Sequence, residues 1–164
     1  MNKKILYIFT LLLFIAISVQ AQDNSMIEIT ADEMEWDDSN NKAFAKGNAS
    51  ATQGNRILKA TNLIAKMKKQ ETENGDFNNT IHTIDAKGNV LFIRDGEKAY
   101  GNVGLYNVID EIIILTGNVR VTKGEDIIYG DKLEINLKTG KSRIFSKENK
   151  KKVKMKFTPA SKNQ

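Results

Sequence analysis

Five carboxylates lie within seven residues near the N-terminus, and paired acids are the groups that hydrolyse glycosidic bonds. They are Asp32, Glu33, Glu35, Asp37 and Asp38. The polar segment 39–41 follows them directly, which is typical of a solvated turn after a strand. Because exposed carboxylates are far commoner than catalytic ones, we expect a strand end and a turn here, and not an enzyme.

Metal ligands and phosphate-binding loops are also scarce. His82 is the only histidine and the chain has no cysteine, so a zinc site would need carboxylates as its remaining ligands. Gly47-Asn48, Gly88-Asn89 and Gly117-Asn118 lack the following helix that a phosphate loop requires, and we expect turns there. Trp36 is expected to anchor a core rather than to stack on a sugar. The sequence therefore predicts no catalytic residue, metal or cofactor.

The Gly-Asn pairs belong to an internal repeat. Thirteen residues after each glycine comes another small residue and then a short polar one, as in Ala60-Thr61, Gly101-Asn102 and Gly130-Asp131. Ala31-Asp32 occupies the same place one unit earlier, which makes the unit 29 residues long. The longer step from 60 to 101 contains twelve extra residues, and we expect them to form a surface loop at 68–79.

Apolar residues within the unit alternate with polar ones at a period of two, which indicates strands with one buried face. The clearest examples are Ile27 and Ile29, Val119 and Val121, and Leu133, Ile135 and Leu137. Dipeptides typical of hairpin turns, such as Asp95-Gly96 and Thr139-Gly140, separate these runs. Because a unit of about four short strands cannot bury its apolar face alone, neighbouring units must stack. We therefore predict an all-β, elongated antiparallel roll of stacked repeats, open at both ends.

The N-terminus has the features of a secretory signal peptide. Two lysines, at positions 3 and 4, precede an apolar run from 5 to 19 and a small-residue site at Ala21. A membrane span needs roughly 20 apolar residues, and this run is shorter. We therefore expect residues 1–21 to be cleaved and the remainder to be exported.

The positive charge of the chain is a property of its ends. The formal charge of +5 includes the two leader lysines and a net six from 146–164, so that residues 22–145 carry −3. Nucleic-acid-binding proteins spread their lysines and arginines over a folded face, so this distribution argues against a nucleic-acid partner. We expect one domain at 22–158 and a flexible tail at 159–164.

The inward-facing positions of the predicted strands are aliphatic, with a few aromatic residues. The candidates for a lipid-binding groove are Ile27, Ile29, Met34, Trp36, Phe44, Leu63, Val90, Phe92, Tyr106, Leu115, Val119, Val121, Leu133 and Ile135. Two interpretations stay open at this point. The side chains either fill a closed core, or they line a partly open roll that holds a lipid chain.

An open-ended stack leaves unpaired strands at its two ends. The candidates for partner edge strands are Ile27, Glu28 and Ile29 at one end and Val153, Lys154, Met155, Lys156 and Phe157 at the other. At the second end lysines alternate with apolar residues until Pro159. This pattern is typical both of an edge protected from aggregation and of an edge that accepts a partner's strand.

Several segments resemble the OstA-like domain of lipopolysaccharide-transport proteins. Residues 115–124, LTGNVRVTKG, followed by 129–133, YGDKL, resemble its core signature. Residues 27–32, IEITAD, resemble its opening strand. Residues 141–145, KSRIF, and the closing stretch 153–159 resemble the end of the family's periplasmic bridge members, the LptA type.

The resemblance implies a twisted β-jelly roll in the periplasm of a Gram-negative bacterium. It implies transport of lipopolysaccharide from the inner to the outer membrane, with the acyl chains of lipid A in an apolar groove. The implied partners are an LptC-like inner-membrane protein, an LptD-like outer-membrane protein and further copies of the chain arranged head to tail. The alternatives are a membrane-anchored LptC-like component of the same pathway and a structural periplasmic β protein that assembles by edge pairing.

Overall fold

The computed structural model describes residues 26–71, 74–75, 77–147 and 152–158, and all of its regular elements are β-strands. The strands are β1 (Glu28–Thr30), β2 (Glu33–Asp37), β3 (Lys42–Gln53), β4 (Arg56–Glu71), β5 (Phe77–Arg94), β6 (Glu97–Asn107), β7 (Ile112–Lys123), β8 (Asp126–Asn136), β9 (Ser142–Phe145) and β10 (Lys154–Lys156). The predicted all-β class is confirmed. The predicted signal peptide and the tail at 159–164 lie outside the described residues. Within the described ranges there is no helix long and apolar enough to span a bilayer.

All ten strands form one antiparallel sheet that does not close on itself. Its order is β1-β3-β4-β5-β6-β7-β8-β10. At one end β1 and β2 share the edge of β3, and at the other end β9 and β10 share the edge of β8. Two-residue turns such as Asp95-Gly96, both with positive φ, connect the long strands as the sequence predicts.

The Gly-Asn pairs are β-bulges inside long strands, and the prediction of turns at these positions is wrong. Gly47-Asn48, Gly88-Asn89 and Gly117-Asn118 all have φ between +46° and +78°. The pairing register shifts at each of them, in β3, β5 and β7. A bulge bends a strand sharply, so each repeat unit contains two long bent strands rather than four short ones.

A polar residue faces each bulge, from the connection between β1 and β2 at the first bulge and from the neighbouring strand at the other two. Asp32 accepts a hydrogen bond of 2.8 Å from the side-chain amide of Asn48, and the Thr61 hydroxyl donates to the carbonyl of Gly88 at 3.2 Å. At the third bulge a Cβ on Gly117 would lie 2.8 Å from the side-chain nitrogen of Asn102. In the first three repeat units, the short polar residue at the second position is therefore explained by its contact with a bulge. In the fourth unit, Asp131 instead accepts a hydrogen bond from the backbone amide of Lys147.

The bulges lie in register and fold the sheet into two layers around one core. β1 pairs only with the part of β3 after its bulge, and β2 only with the part before it. The first layer therefore holds β2, β9 and the half-strands next to them, and the second holds β1, β10 and the remaining halves. The buried apolar residues of both layers form a single cluster, which includes Leu63, Ile84, Ile113, Leu115, Leu133 and Ile135.

The insertion predicted as a surface loop at 68–79 is mostly strand. β4 and β5 continue past the rest of the first layer and pair from Lys68–Thr80 to Glu71–Phe77. The pairing register shifts next to His82, whose carbonyl accepts a hydrogen bond of 3.0 Å from the amide of Val108. The described part of this stretch therefore lengthens one hairpin, because its polar composition does not prevent two antiparallel strands from continuing their ladder.

Candidate lipid-binding cleft and edge strands

An apolar cleft of about 190 Å³ opens at the N-terminal end of the roll. Its lining consists of Ile27, Ile29, Met34, Trp36, Ala43, Phe44, Ala45, Leu63, Ala65, Met67 and Ile81. Every one of these side chains is apolar, and none can hydrogen-bond a polar guest except through the indole nitrogen of Trp36. The cleft can therefore hold a hydrocarbon chain and has nothing that would retain a charged group.

The cleft exists because side-chain volume at the inward positions decreases toward the first repeat unit. The position four residues before each bulge glycine is Ala43, then Ile84, then Ile113. The position two residues before it is Ala45, then Ala86, then Leu115. Ile84, Ile113 and Leu115 are completely buried in the packed core. The loss of side-chain volume toward the N-terminus leaves a space that the chain itself does not fill.

The lip of the cleft is formed by two side chains of the edge strand β2. Met34 is 40% exposed and Trp36 62% exposed, and both line the cleft. The prediction that Trp36 anchors the core is therefore wrong. It lies at the edge of the core because β2 has only one neighbouring strand, β3, and nothing covers its other side among the described residues.

The carboxylates of β2 lie on the face opposite Met34 and Trp36. Lys46 on β3 contacts Glu35 at 2.7 Å and Glu33 at 3.4 Å. The hydrogen bond that Lys46 donates to Glu35, together with the negative charge of Glu33, raises the pKa of the Lys46 ammonium group. These acids belong to a strand edge and the turn after it, as the sequence predicts. They neutralise a surface lysine and are not directed toward the cleft.

Asp37 is the last residue of β2, and Asp38 begins the turn that follows it. Asp37 accepts hydrogen bonds from the side-chain amide of Asn40 at 2.8 Å and from its backbone amide at 3.0 Å. These two bonds lower the pKa of the Asp37 carboxyl group. The described residues contain no group of three or more histidine, cysteine, aspartate or glutamate side chains that could hold a metal ion.

At the C-terminal end of the roll, no described residue covers the outer edge of β10. β10 pairs only with β8, and its partner residues are Tyr129 for Lys154 and Ile128 for Met155. Ile128 packs against the core, so Met155 lies on the core-facing side of the layer. It is nevertheless 49% exposed, and the flanking Val153 and Phe157 are 41% and 68% exposed. The edge strands predicted at 27–29 and 153–157 thus lie at opposite ends of the sheet.

Residues 28–141 match the family model described as "LptA/(LptD N-terminal domain) LPS transport protein". The chain belongs to this family. The match begins at β1 and ends after β8, and it contains the three bulges and most of the residues that line the cleft. Membership of the LptA/LptD N-terminal family connects the chain with lipopolysaccharide transport and not with an enzymatic reaction.

A solved relative has the same architecture. The chain superposes with a TM-score of 0.71 on LptH of Pseudomonas aeruginosa, at 18% identity, covering 84% of this chain and 98% of that one. LptH is described as the LptA-homologous periplasmic component of the lipopolysaccharide transport device of that organism. An uncharacterized protein of Rhizobium meliloti (strain 1021) is 26% identical over 127 residues, which are 77% of this chain and 68% of that protein. The predicted jelly-roll fold is confirmed.

The structure divides the fourteen predicted groove residues of this LptA-like roll into two groups. Ile27, Ile29, Met34, Trp36, Phe44 and Leu63 line the cleft. Val90, Phe92, Tyr106, Leu115, Val119, Val121, Leu133 and Ile135 are buried in the packed core. Phe44 borders the cleft from the opposite face of β3, since it pairs with Glu35 whereas Ala45 pairs with Met34. Only the first group can contact a guest without a movement of the two layers.

Five residues of the cleft were missed by the sequence analysis, namely Ala43, Ala45, Ala65, Met67 and Ile81. The alanines are small, and a period-two pattern does not distinguish a filled core from an empty one. Met67 and Ile81 border the stretch that was assigned to a loop. An alignment of the repeat units by residue volume would have indicated Ala43, whose equivalents Ile84 and Ile113 are large, and Ala65, whose equivalents Tyr106 and Ile135 are large.

Proposed function

We propose that this protein is a periplasmic carrier that moves lipopolysaccharide from the inner to the outer membrane, with the acyl chains shielded inside the roll. The observation that carries this proposal is the apolar cleft, which opens at an uncovered edge strand and adjoins the core. Each methylene group removed from water contributes about 0.8 kcal/mol, so six methylenes in the cleft would contribute roughly 5 kcal/mol. That is enough to favour entry of a chain end without fixing the lipid permanently.

The capacity of the cleft limits how the lipid is held. An apolar cavity of about 150 Å³ binds a molecule the size of benzene. A cleft of about 190 Å³ therefore accepts the end of one acyl chain and not a whole lipid A. We propose that deeper entry separates the two layers and brings the guest against the eight buried groove candidates. The closed core and the partly open roll, which the sequence left as alternatives, would then be two states of the same interior.

The two ends of the sheet support the proposed bridge between membranes. The N-terminal edge carries Glu28, Glu33 and Glu35, of which the last two share Lys46, and the C-terminal edge carries Lys154 and Lys156. Opposite charge on two different edges favours a head-to-tail contact over a symmetric one. Unpaired edge strands can also add to the sheet of a partner. We propose an LptC-like inner-membrane partner, an LptD-like outer-membrane partner and head-to-tail contacts between copies of the chain.

Photo-crosslinking tests the carrier function. A photoreactive amino acid replaces Met34, which lines the cleft, and in a second variant it replaces Glu35, the next residue on the opposite face of β2. With purified lipopolysaccharide, the Met34 variant should give a covalent lipid adduct and the Glu35 variant should give little. Equal adducts at both positions, or adducts at position 35 alone, would contradict the proposal.

Fractionation of cells that express the full chain tests the location. A carrier should be recovered from the periplasm as a product that begins at Gln22, which N-terminal sequencing identifies. A product that keeps residues 1–21 and sediments with the inner membrane would instead support the membrane-anchored, LptC-like alternative.

A further inference from the structure

A row of aromatic and cationic side chains crosses the outer face of the second layer. The pairing register aligns Arg120 on β7 with Tyr100 on β6 and with Tyr129 on β8. It also aligns Tyr129 with Lys154 on β10. Cross-strand partners project from the same face of a sheet. Arg120 lies between the buried Val119 and Val121, so this row points away from the core.

The row lines a groove of about 660 Å³. The complete lining is Tyr100, Asn118, Val119, Arg120, Tyr129, Gly130, Asp131, Lys152, Lys154 and Lys156. The guanidinium carbon of Arg120 lies 4.1 Å from the centre of the Tyr100 ring, which holds the arginine in place. Tyr129 is 40% exposed, so its ring and hydroxyl group are accessible from the groove.

The charge of the groove is strongly unbalanced. Four cations line it, and the single carboxylate, Asp131, already accepts hydrogen bonds from the backbone amide of Lys147 at 2.9 Å and from the hydroxyl of Ser146 at 3.5 Å. Throughout the described part of the chain, no carboxylate lies within 4.0 Å of the charged nitrogens of these four cations. A groove with this composition attracts an anion.

We infer that this groove binds the phosphorylated saccharide of a lipopolysaccharide, an inference that rests on the proposed function. The guanidinium fork of Arg120 matches a phosphate group in a bidentate manner, and the lysines supply further charge. The exposed ring of Tyr129 provides a flat surface for a sugar ring and a hydroxyl group for its polar atoms. The groove would then hold the head of a lipid at the opposite end of the sheet from the cleft that accepts a chain end.

The two faces of β10 fit the two halves of such a lipid. Lys154 points into the groove together with its partner Tyr129. Met155 lies on the core-facing side and is half exposed. One edge strand therefore presents cations to the outside and apolar surface to the inside. A free polyanion would use only the outer face, so this arrangement favours an amphiphile with an anionic head.

Binding of a soluble saccharide tests the inference separately from the cleft. The probe is lipid A and core saccharide from which all acyl chains have been removed, and the second probe is the same saccharide after removal of its phosphates. Titration followed by backbone amide chemical shifts should show saturable changes at Arg120, Tyr129 and Lys154 with the first probe. The second probe should bind at least tenfold more weakly, which corresponds to about 1.4 kcal/mol.

Substitutions locate the site. Arg120→Gln should weaken binding of the phosphorylated saccharide about tenfold, and Arg120→Lys should weaken it less because the charge remains. Lys59→Gln is the matched control, since Lys59 is exposed on the same layer but lies on β4, outside the groove. An equal loss in the Lys59 variant would overturn the inference, because it would indicate a general effect of charge.

The remaining outcomes are also decisive. Equal affinity for the two saccharides, or for inorganic phosphate and the phosphorylated saccharide, would overturn the inference. If the saccharide does not bind while lipopolysaccharide still crosslinks at position 34, the groove proposal fails and the carrier function stands. If the saccharide does not bind and lipopolysaccharide does not crosslink at position 34, both proposals fail.

Discussion

The hydroxyl group of Tyr106 donates a hydrogen bond of 2.5 Å to the side-chain oxygen of Gln53, which lies in the opposite layer of the roll. Both side chains are buried. Near them, Arg56 of the second layer and Glu111 of the first form an ion pair of 3.4 Å with little exposed surface. The bulges join the layers on one side, and these polar contacts join them near the hairpin ends on the other. Separation of the layers by a lipid would have to break them.

Removal of the Tyr106 hydroxyl group should destabilise the closed roll. Tyr106→Phe removes this buried hydrogen bond, which costs about 1 kcal/mol. Tyr129→Phe is the control, and because Tyr129 is partly exposed the change should stay within about 0.5 kcal/mol. Urea unfolding measures both free energies. Equal stabilities for the two variants would show that the cross-layer bond does not hold the roll closed.

The bulge glycines should tolerate alanine less well than the turn glycines. Gly117 and Gly124 both have positive φ, at 78° and 58°, so alanine is strained by about 1–2 kcal/mol at either position. Only at Gly117 would the new Cβ also meet a neighbour, the side-chain nitrogen of Asn102 at 2.8 Å, whereas nothing lies within 4 Å at Gly124. We expect Gly117→Ala to lose about 1–3 kcal/mol more than Gly124→Ala in equilibrium unfolding. Equal losses would mean that the bulge adjusts without strain.

Substitution of alanine by leucine should distinguish the empty part of the interior from the filled part, because only the filled part is destabilised. Ala45 and Ala86 occupy equivalent places in two repeat units, but only Ala45 lines the cleft. Ala86→Leu overpacks the core and should destabilise the protein by about 1–3 kcal/mol. Ala45→Leu should change the unfolding free energy by less than about 1 kcal/mol, because the added atoms enter existing space.

The same pair of variants tests whether the cleft is the place where the chain end binds. Binding is followed by the fluorescence of an apolar naphthylamine dye and by lipid adducts at position 34. Ala45→Leu should reduce both signals several-fold while the fold is retained. If dye binding is unchanged in a stable Ala45→Leu protein, the guest does not occupy this cleft.

Short-range rules were sufficient to predict the strands but not their bends. Period-two alternation and hairpin dipeptides act over a few residues, and the strands and the Asp95-Gly96 turn follow from them. Gly47-Asn48 shows the limit of such rules. A residue pair that accepts positive φ is suitable for a hairpin turn and for a bulge, and the pairing partners on both sides decide between them. Those partners are distant in sequence.

The position of the cleft does not follow from local sequence patterns, for a related reason. Whether an inward position is filled depends on the summed volume of side chains from several strands, and alternation gives only their direction. Ala43 and Ile113 satisfy the pattern equally well, yet one borders the cleft and the other is completely buried. Likewise, the polar stretch at 68–79 shows no sign of pairing until the two strands that flank it are known to be neighbours.

Contacts between copies should depend on the opposite charges of the two edges. Glu28→Lys with Glu33→Lys makes both ends basic, and Lys154→Glu with Lys156→Glu makes both ends acidic. Each double variant should associate with itself about tenfold more weakly than the unmodified chain, since two surface charge pairs become repulsive. Sedimentation velocity at low ionic strength measures the association, and unfolding curves verify that each variant is folded.

A mixture of the two variants provides the control. In a 1:1 mixture the acidic edge of one variant again faces a basic edge of the other at both kinds of contact. Association should therefore return, and 1 M salt, which shortens the screening length to about 3 Å, should weaken it. If the mixture behaves like each variant alone, the edges do not meet head to tail. The proposed bridge would then need another surface for contacts between copies of the chain.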